Sequence, residues 1–414
     1  MVKLVSREMK DSGIEWIGEI PKDWKLRRYK HFAQSGMGST ILKEDLVEVG
    51  IPVYSATQDN TIFGYLENPN IILEKGDFVI PARGNSIGCI TIIHKEKATC
   101  TQTTIYSKLN GIYNKYLYYC GWGLKDKWFE FDNTAIPQIT VNQVQNNIVP
   151  YTEILEQQSI ANYLDKKVSE IDNIINQTTL SIEEYKKYKQ SLITEAVTKG
   201  LNPDVEMKDS GIEWNKHIPK HWEVVNGRRL FAQRKEKALD GDKQLTASQK
   251  LGIVFQEDFM EAENQKVVLV EKDFSILKHV EPNDFVISMR SFQGGLEHSL
   301  LKGCISSAYV MLIPNEKVYA PYFRWLFKSI KYINALQSTS NLVRDGQAMR
   351  YSNFVQIPLF VFGINEQQAI AEYLDAKCSE IDNLITKKQK LLTELGSYKK
   401  SLIYECVTGK KEVC

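Results

Sequence analysis

Several chemistries are missing from this sequence, and each absence narrows what the chain can do. No apolar run approaches the ~18 residues that a membrane span needs, and no basic-then-apolar leader opens the sequence. Cysteine is sparse, seven in 414 residues, and no two form a Cys-x-x-Cys pair. Such an odd, scattered set reads as reduced thiols in a cytoplasm, several of them simply buried. There is no Gly-x-x-x-x-Gly-Lys-Ser/Thr loop to cradle nucleotide phosphates. The Asn/Asp-Pro-Pro-aromatic loop and Gly-rich cofactor turn of base amino-methylation are absent too; Asn68-Pro69-Asn70 lacks the second proline and the aromatic. Pro203-Asp204-Val205-Glu206-Met207-Lys208 has a nuclease-like order, yet its acidic groups sit consecutively instead of converging from two strands. His217 and His221 stand four apart without a third ligand, so no metal site is expected. Excess charge of one sign is missing as well, the formal net charge being +1. A near-neutral chain is expected to hold DNA poorly alone and to need a partner for phosphate contacts. The remaining composition, 43% hydrophobic and 25% charged, is that of a globular protein long enough for two or three domains.

What the sequence does contain is itself, twice. Residues 9–24 read MKDSGIEWIGEIPKDW and residues 207–222 read MKDSGIEWNKHIPKHW, identical at twelve of sixteen positions. EQQSIANYLDKKVSEIDNII at 156–175 returns as EQQAIAEYLDAKCSEIDNLI at 366–385, and 24 of 43 positions agree between 156–198 and 366–408. Between these blocks the halves share only landmarks, such as Asp77-Phe78-Val79-Ile80 against Asp284-Phe285-Val286-Ile287. The layout is box, variable module, helix, then the same again.

The segment after each module lacks proline and reads as a helix of roughly 40 residues, about 60 Å long. Leu164, Ile171, Thr178, Tyr185 and Leu192 recur every seven residues, with Ile174 and Tyr188 expected in the intervening seam. In the second copy Leu374, Ile381, Leu395 and Leu402 hold the heptad position, with Leu384, Leu391 and Tyr398 expected between them. Gly200 and then Pro203 stop the first helix. Matching stripes suit an antiparallel coiled coil between the two helices, the alternative being two separate helices lying each on its own module. By repeat position Thr178 corresponds to Lys388, which predicts looser packing at mid-helix.

Both modules read as mixed α/β. Strands are expected at Ile71–Leu73, Phe78–Ile80 and Ile87–Ile93, and at Val267–Val270, Phe285–Met289 and Val310–Ile313; helices follow at Lys115–Trp122 and Tyr322–Leu336. Groups able to read base edges cluster after the central strand. In the first module these are Arg83, Asn85 and Ser86, with Gln102, Asn133 and Gln138. In the second they are Arg290, Ser291 and Gln293, with Ser307, Tyr309, Arg344 and Arg350. Arg can bond guanine O6 and N7, and Asn or Gln adenine N6 and N7, in a bidentate way. Both modules carry only a small basic surplus.

With these residues in view, the chain resembles the specificity (S) subunits of Type I restriction–modification systems. The resemblance spans essentially the whole chain and rests on the paired MKDSGIEW…IP…W boxes, the paired EQQ-x-IA-x-YLD-x-K-x-SEID segments, GDFVIPARGNSIG at 76–88, and DFVISMRSFQGG with GCISSAYVML. It implies an α+β pseudo-two-fold tandem repeat, with target recognition domains at 1–150 and 207–360. The first helix and linker then occupy 151–206, and the second helix 361–414. It also implies a non-catalytic subunit that reads a bipartite duplex, one half per recognition domain, with the helices fixing the gap and docking two methyltransferase (M) subunits. Restriction (R) subunits join that core. No cofactor is expected in this chain; S-adenosylmethionine, ATP and Mg²⁺ belong to the partners. Two other readings stand beside it: a stand-alone methyltransferase or nuclease with an unrecognised catalytic motif, and a coiled-coil scaffold that binds only proteins.

Overall fold

The computed structural model describes residues 7–56, 61–84, 86–129, 138–263, 276–289, 291–339 and 349–413. Asn85, Asn133, Arg290, Arg344 and the expected strand Val267–Val270 lie outside the described residues. The chain divides into two compact units: residues 1–179 with 389–414, and residues 180–388.

Each unit opens with the same small ribbon. Met9–Asp11 pairs antiparallel with Glu19–Pro21, and Met207–Asp209 with His217–Pro219. The repeated Asp-Ser-Gly is the local reason. Asp11 Oδ1 accepts from Gly13 N at 3.0 Å and Ser12 Oγ from Ile14 N at 3.1 Å; Asp209 and Ser210 do the same at 2.9 Å each. The glycines sit at φ 71 and 68, a backbone region that side chains with a Cβ avoid.

The central strand of each module lies between two cores, which explains why it is apolar throughout rather than alternating. Phe78 and Ile80 enter the main core of the first unit and Val79 a smaller one on the other face. Phe285, Ile287 and Val286 divide the same way in the second. The sheet in the first unit runs Ala33–Met37, Thr104–Leu109, Phe78–Pro81, Thr91–Ile92, all antiparallel. The second unit repeats that order as Phe231–Arg234, Val310–Pro314, Phe285–Ile287, Glu297–His298. Around this shared sheet the modules diverge. The first adds a mixed four-stranded sheet in which Ile51–Tyr54 and Lys97–Cys100 run parallel, the second two separate two-stranded ribbons.

Some expected elements shrink. Of Ile87–Ile93 only Thr91–Ile92 is strand, because the chain turns at Gly88 (φ 72), where an added Cβ would lie 2.4 Å from the Phe129 ring. The first expected strand is confined to Leu73–Glu74, and Met289 falls beyond Phe285–Ile287. The helix expected over Tyr322–Leu336 breaks into Ala320–Lys328 and Ile330–Ser338, with Ser329 capping the second piece.

The long helices are Ile154–Lys199 and Ile364–Val407. The first ends where Gly200, at φ 78, bonds back to Ala196. In the first unit Ile160, Ala161, Leu164 and Ile171 share a core with Leu402, Ile403, Cys406 and Val407; in the second, Ile193, Ala196 and Val197 share one with Ile370, Ala371, Leu374 and Cys378. Antiparallel pairing is marked by Lys189 Nζ on Asp382 at 2.7 Å, with Lys388 lying over the Tyr185 ring in the same unit. In the other unit Lys399 Nζ meets Asp172 Oδ1 at 2.7 Å. Asp172 and Asp382, like Lys189 and Lys399, hold matching places in the repeat, so one ion pair occurs twice.

The second row of the seam needs correction. Ile174 is 45% exposed, Tyr188 56%, Leu391 40% and Tyr398 54%, so these side chains lie off it, whereas Leu384 is half-buried like its neighbour Ile385. The inward row falls four residues after the heptad position rather than three. It comprises Val168, Ile175, Ile182 and Ala196, and in the second copy Cys378, Ile385, Leu392 and Cys406. Leu164, Ile171, Leu374, Ile381 and Leu402 are buried, while Tyr185, Leu192 and Leu395 are partly buried. Thr178 is buried at 8%.

Candidate nucleic-acid interface

The repeated residues are joints between helix and module. Glu156 accepts from Trp24 Nε1 at 3.0 Å, and Glu366 from Trp222 Nε1 at 3.1 Å. Gln157, fully buried, accepts from Tyr113 N at 2.9 Å and donates to Thr152 O at 2.7 Å. Gln367 accepts from Tyr319 N at 2.8 Å and donates to Phe362 O at 2.9 Å. Asp165 receives Tyr119 Oη at 2.8 Å and the ammonium of Lys115; Asp375 receives Trp325 Nε1 at 2.8 Å and the guanidinium of Arg324. Each EQQ…D segment is therefore a socket, and unlike modules plug into equal sockets. His221, weighed above as a metal ligand, instead meets Glu366 at 2.8 Å. Glu206 pairs with Lys220, and no group of residues suited to a metal ion occurs among the described residues.

With the repeats spent on mounting, the unlike residues are left to read a ligand. In the first module Arg83 and Gln138 are exposed and bridge through their backbones. Next to them the chain turns at Thr101–Thr104. Gln102 is exposed there and its side-chain oxygen accepts from Thr40 Oγ1 at 2.8 Å. A hydroxyl cluster lies alongside, Ser55 Oγ to Thr101 Oγ1 at 3.0 Å and Thr101 to Thr103 at 2.8 Å. Gly38 lets the chain before Thr40 press against this turn, since a Cβ there would fall 2.3 Å from Thr101 O. Thr40, Ser55 and Thr103 were not legible in the sequence. Thr103 sits in the turn itself, while Thr40 and Ser55 are brought there by pairing of the strands and bridge beside them, Thr40 being 62 residues from Gln102. Ser86 is removed from the reading set: it is 5% exposed and its hydroxyl donates inward to Ala56 O at 3.0 Å.

The second module has the same turn, Tyr309 N bonding Ser306 O at 3.1 Å as Thr104 N bonds Thr101 O at 3.0 Å. This places Ser307, exposed, where the first module has Gln102. Gln293 and Arg350 are exposed and Tyr309 half-exposed. Lys278 donates to Tyr309 O at 2.6 Å, and burial lowers its pKa. Ser291 is removed as well: it is 1% exposed and its hydroxyl accepts from Ser288 N at 2.8 Å, closing a turn. Burial pushes the Cys100 and Cys304 thiols up to about 11 and Cys406 to about 12, which makes these three poor nucleophiles. Among the described residues no helix is long and apolar enough to cross a membrane.

Residues 21–184 match the family of the Type I restriction modification DNA specificity domain. The putative type I restriction enzyme MjaX specificity subunit of Methanocaldococcus jannaschii is 26% identical, covering 96% of this chain and 96% of its own length. The type I restriction enzyme MjaVIII specificity subunit of the same organism is 24% identical, covering 95% and 94%. Two solved structures share the fold at low identity. One chain comes from work on complex assembly and conformational transition of the type I R-M system (TM-score 0.69, 12% identity, 95% of this chain and 99% of that one). The other is the HsdS subunit from Thermoanaerobacter tengcongensis (TM-score 0.53, 13% identity, 95% and 98%). With two unlike modules on two equal sockets, the chain carries a match to the Type I restriction modification DNA specificity domain over residues 21–184 and is similar along nearly its whole length to type I restriction enzyme specificity subunits.

Proposed function

We propose that the chain is the non-catalytic DNA-reading subunit of a cytoplasmic Type I restriction–modification complex, each module reading one half of a bipartite duplex target. The observation that carries this reading is the pair of equal sockets bearing unlike polar faces. Equal mounting of unlike modules suits a ligand with a two-fold backbone and two different half-sites. The paired helices set the gap between half-sites and dock two methyltransferase subunits, to which restriction subunits are added. S-adenosylmethionine, ATP and Mg²⁺ act on those partners, in keeping with the lack of a nucleotide loop or methylation loop in this sequence. In the first module Arg83, Gln102 and Gln138 face the base edges; in the second Gln293, Ser307, Tyr309 and Arg350 do so, with Arg290 and Arg344 assigned by repeat position and composition. Exchanging residues 25–150 for the module of another such subunit and mapping methylated positions tests the reading. One half-site is expected to change while the other stays. An unchanged target would leave the protein-only scaffold standing, and methyl transfer by the purified chain alone would make it an enzyme.

A further inference from the structure

Lys25, Arg27, Arg28, Lys30 and His31 fall within seven residues that contain no carboxylate. Lys25–Arg28 is a strand paired antiparallel with Ile148–Tyr151, and Tyr29–His31 is a single turn after it. Tyr29 is fully buried, edge-on to Trp128 at 6.0 Å, and anchors the turn. The five basic side chains around it are exposed. Among the described residues none of them pairs with a carboxylate. Arg27 lies over the Tyr151 ring at 4.8 Å and Arg28 Nη1 donates to Asn146 Oδ1 at 2.9 Å. Lys22, Lys75 and Lys115 of the unit have acidic partners, and the exposed lysines without one, such as Lys43, Lys108 and Lys127, do not gather into a run of this density. In a chain with 52 basic and 51 acidic residues, a strip left uncompensated marks where an anion belongs.

Its position identifies the anion. Asn146 ends the helix Val141–Asn146, whose cap Thr140 lies two residues beyond Gln138, the backbone partner of Arg83. Six helical residues rise about 9 Å, comparable with the roughly 12 Å width of a DNA major groove. Arg28 is thus fastened to the far end of a helix about 9 Å long, whose near end follows Gln138, the partner of Arg83. We infer that the ribbon Lys25–His31 grips the phosphodiester backbone beside the half-site read by the first module. This rests on the DNA-reading function proposed above. The second module keeps only part of the strip, having Glu223, Val225 and Asn226 where the first has Lys25, Arg27 and Arg28, but Arg228 and Arg229 where the first has Lys30 and His31, so its grip is the weaker one.

The test uses the full-length chain assembled with its methyltransferase subunits. It is titrated at several KCl concentrations with a mixed-sequence duplex and with the duplex identified by methylation mapping. The variant Lys25→Gln/Arg28→Gln/Lys30→Gln leaves the Arg27–Tyr151 contact in place. Affinity is expected to fall by the same factor on both duplexes. The slope of log K against log salt should shrink by about 0.9 per lost phosphate contact, roughly 2.7 for three. The charge-keeping variant Lys25→Arg/Arg28→Lys/Lys30→Arg should retain the parental slope, which separates charge from folding. An unchanged slope, a loss confined to the target duplex, or lost subunit assembly with DNA binding intact would each overturn the inference. If the parental complex shows no preference for the target duplex, the recognition reading fails instead, a result the variant's slope cannot mimic.

Discussion

At the scale of single residues, polar burial and polar exposure have different meanings here. His279 is 1% exposed and bonds Asp242 through Nδ1 at 2.7 Å and Glu281 through Nε2 at 2.8 Å. Burial works against its charge, but the two carboxylate bonds outweigh it and raise its pKa above 6.5. Glu281 is held down at about 2, first by Lys302 and then by His279. The stability from His279 is therefore complete below about pH 6.5 and fades as pH rises through its raised folded value. That from Glu281 is complete above about pH 4.5 and is lost as pH falls toward 2. Urea unfolding should show His279→Ala costing roughly 3 kcal/mol near pH 6, since it strands the buried Asp242 carboxylate, and less as the pH is raised. Equal cost at higher pH would mean the imidazole acts only as filler. By contrast, Arg83→Ala should leave unfolding unchanged and relax one base position of one half-site by about 1–3 kcal/mol, read by binding to single-mismatch duplexes. Uniform weakening on all sequences would assign Arg83 to phosphate.

At the scale of elements, heptad repetition was readable but the face was only half determined. Leu164 and Ile171 fix one row; Ile174 and Ile175 compete for the other, being adjacent and equally apolar. Sequence periodicity cannot separate a three-residue from a four-residue step over one heptad, whereas packing does, with Ile174 at 45% exposure. Ile171→Ala is expected to cost roughly 2–4 kcal/mol and Ile174→Ala no more than about 0.5, measured by chemical denaturation. Reversed values would restore the original register. Matched insertions of seven residues after Thr178 and Lys388 preserve that register and lengthen each helix by about 10.5 Å. At 3.4 Å per base pair the preferred gap should grow by about three base pairs with both half-sites unchanged, as methylation mapping would show.

At the scale of the whole molecule, the box, module, helix order and the two-fold repetition were legible because identical sequence repeats identical joints. The reading faces were legible only in part. Arg83 and Gln138 are 55 positions apart and share a face because their backbones bridge. Ser86 and Ser291 looked equally suited, yet both hydroxyls are spent inward, Ser86 on Ala56 O and Ser291 on Ser288 N. Composition counts such groups and cannot tell which way they point. Nor did the sequence reveal how the repeats share helices. Tyr116 Oη, besides its bond to Pro150 O at 2.9 Å, faces Val407 O at 3.3 Å, and Tyr322 Oη donates to Val197 O at 2.8 Å. Each module closes over the end of the helix that follows the other module. During synthesis, then, the earliest-made module waits for residues 389–414 before its core is sealed, exposed to chaperones and proteases for most of translation. A frameshift late in the message would injure the module encoded first, the reverse of what reading order suggests.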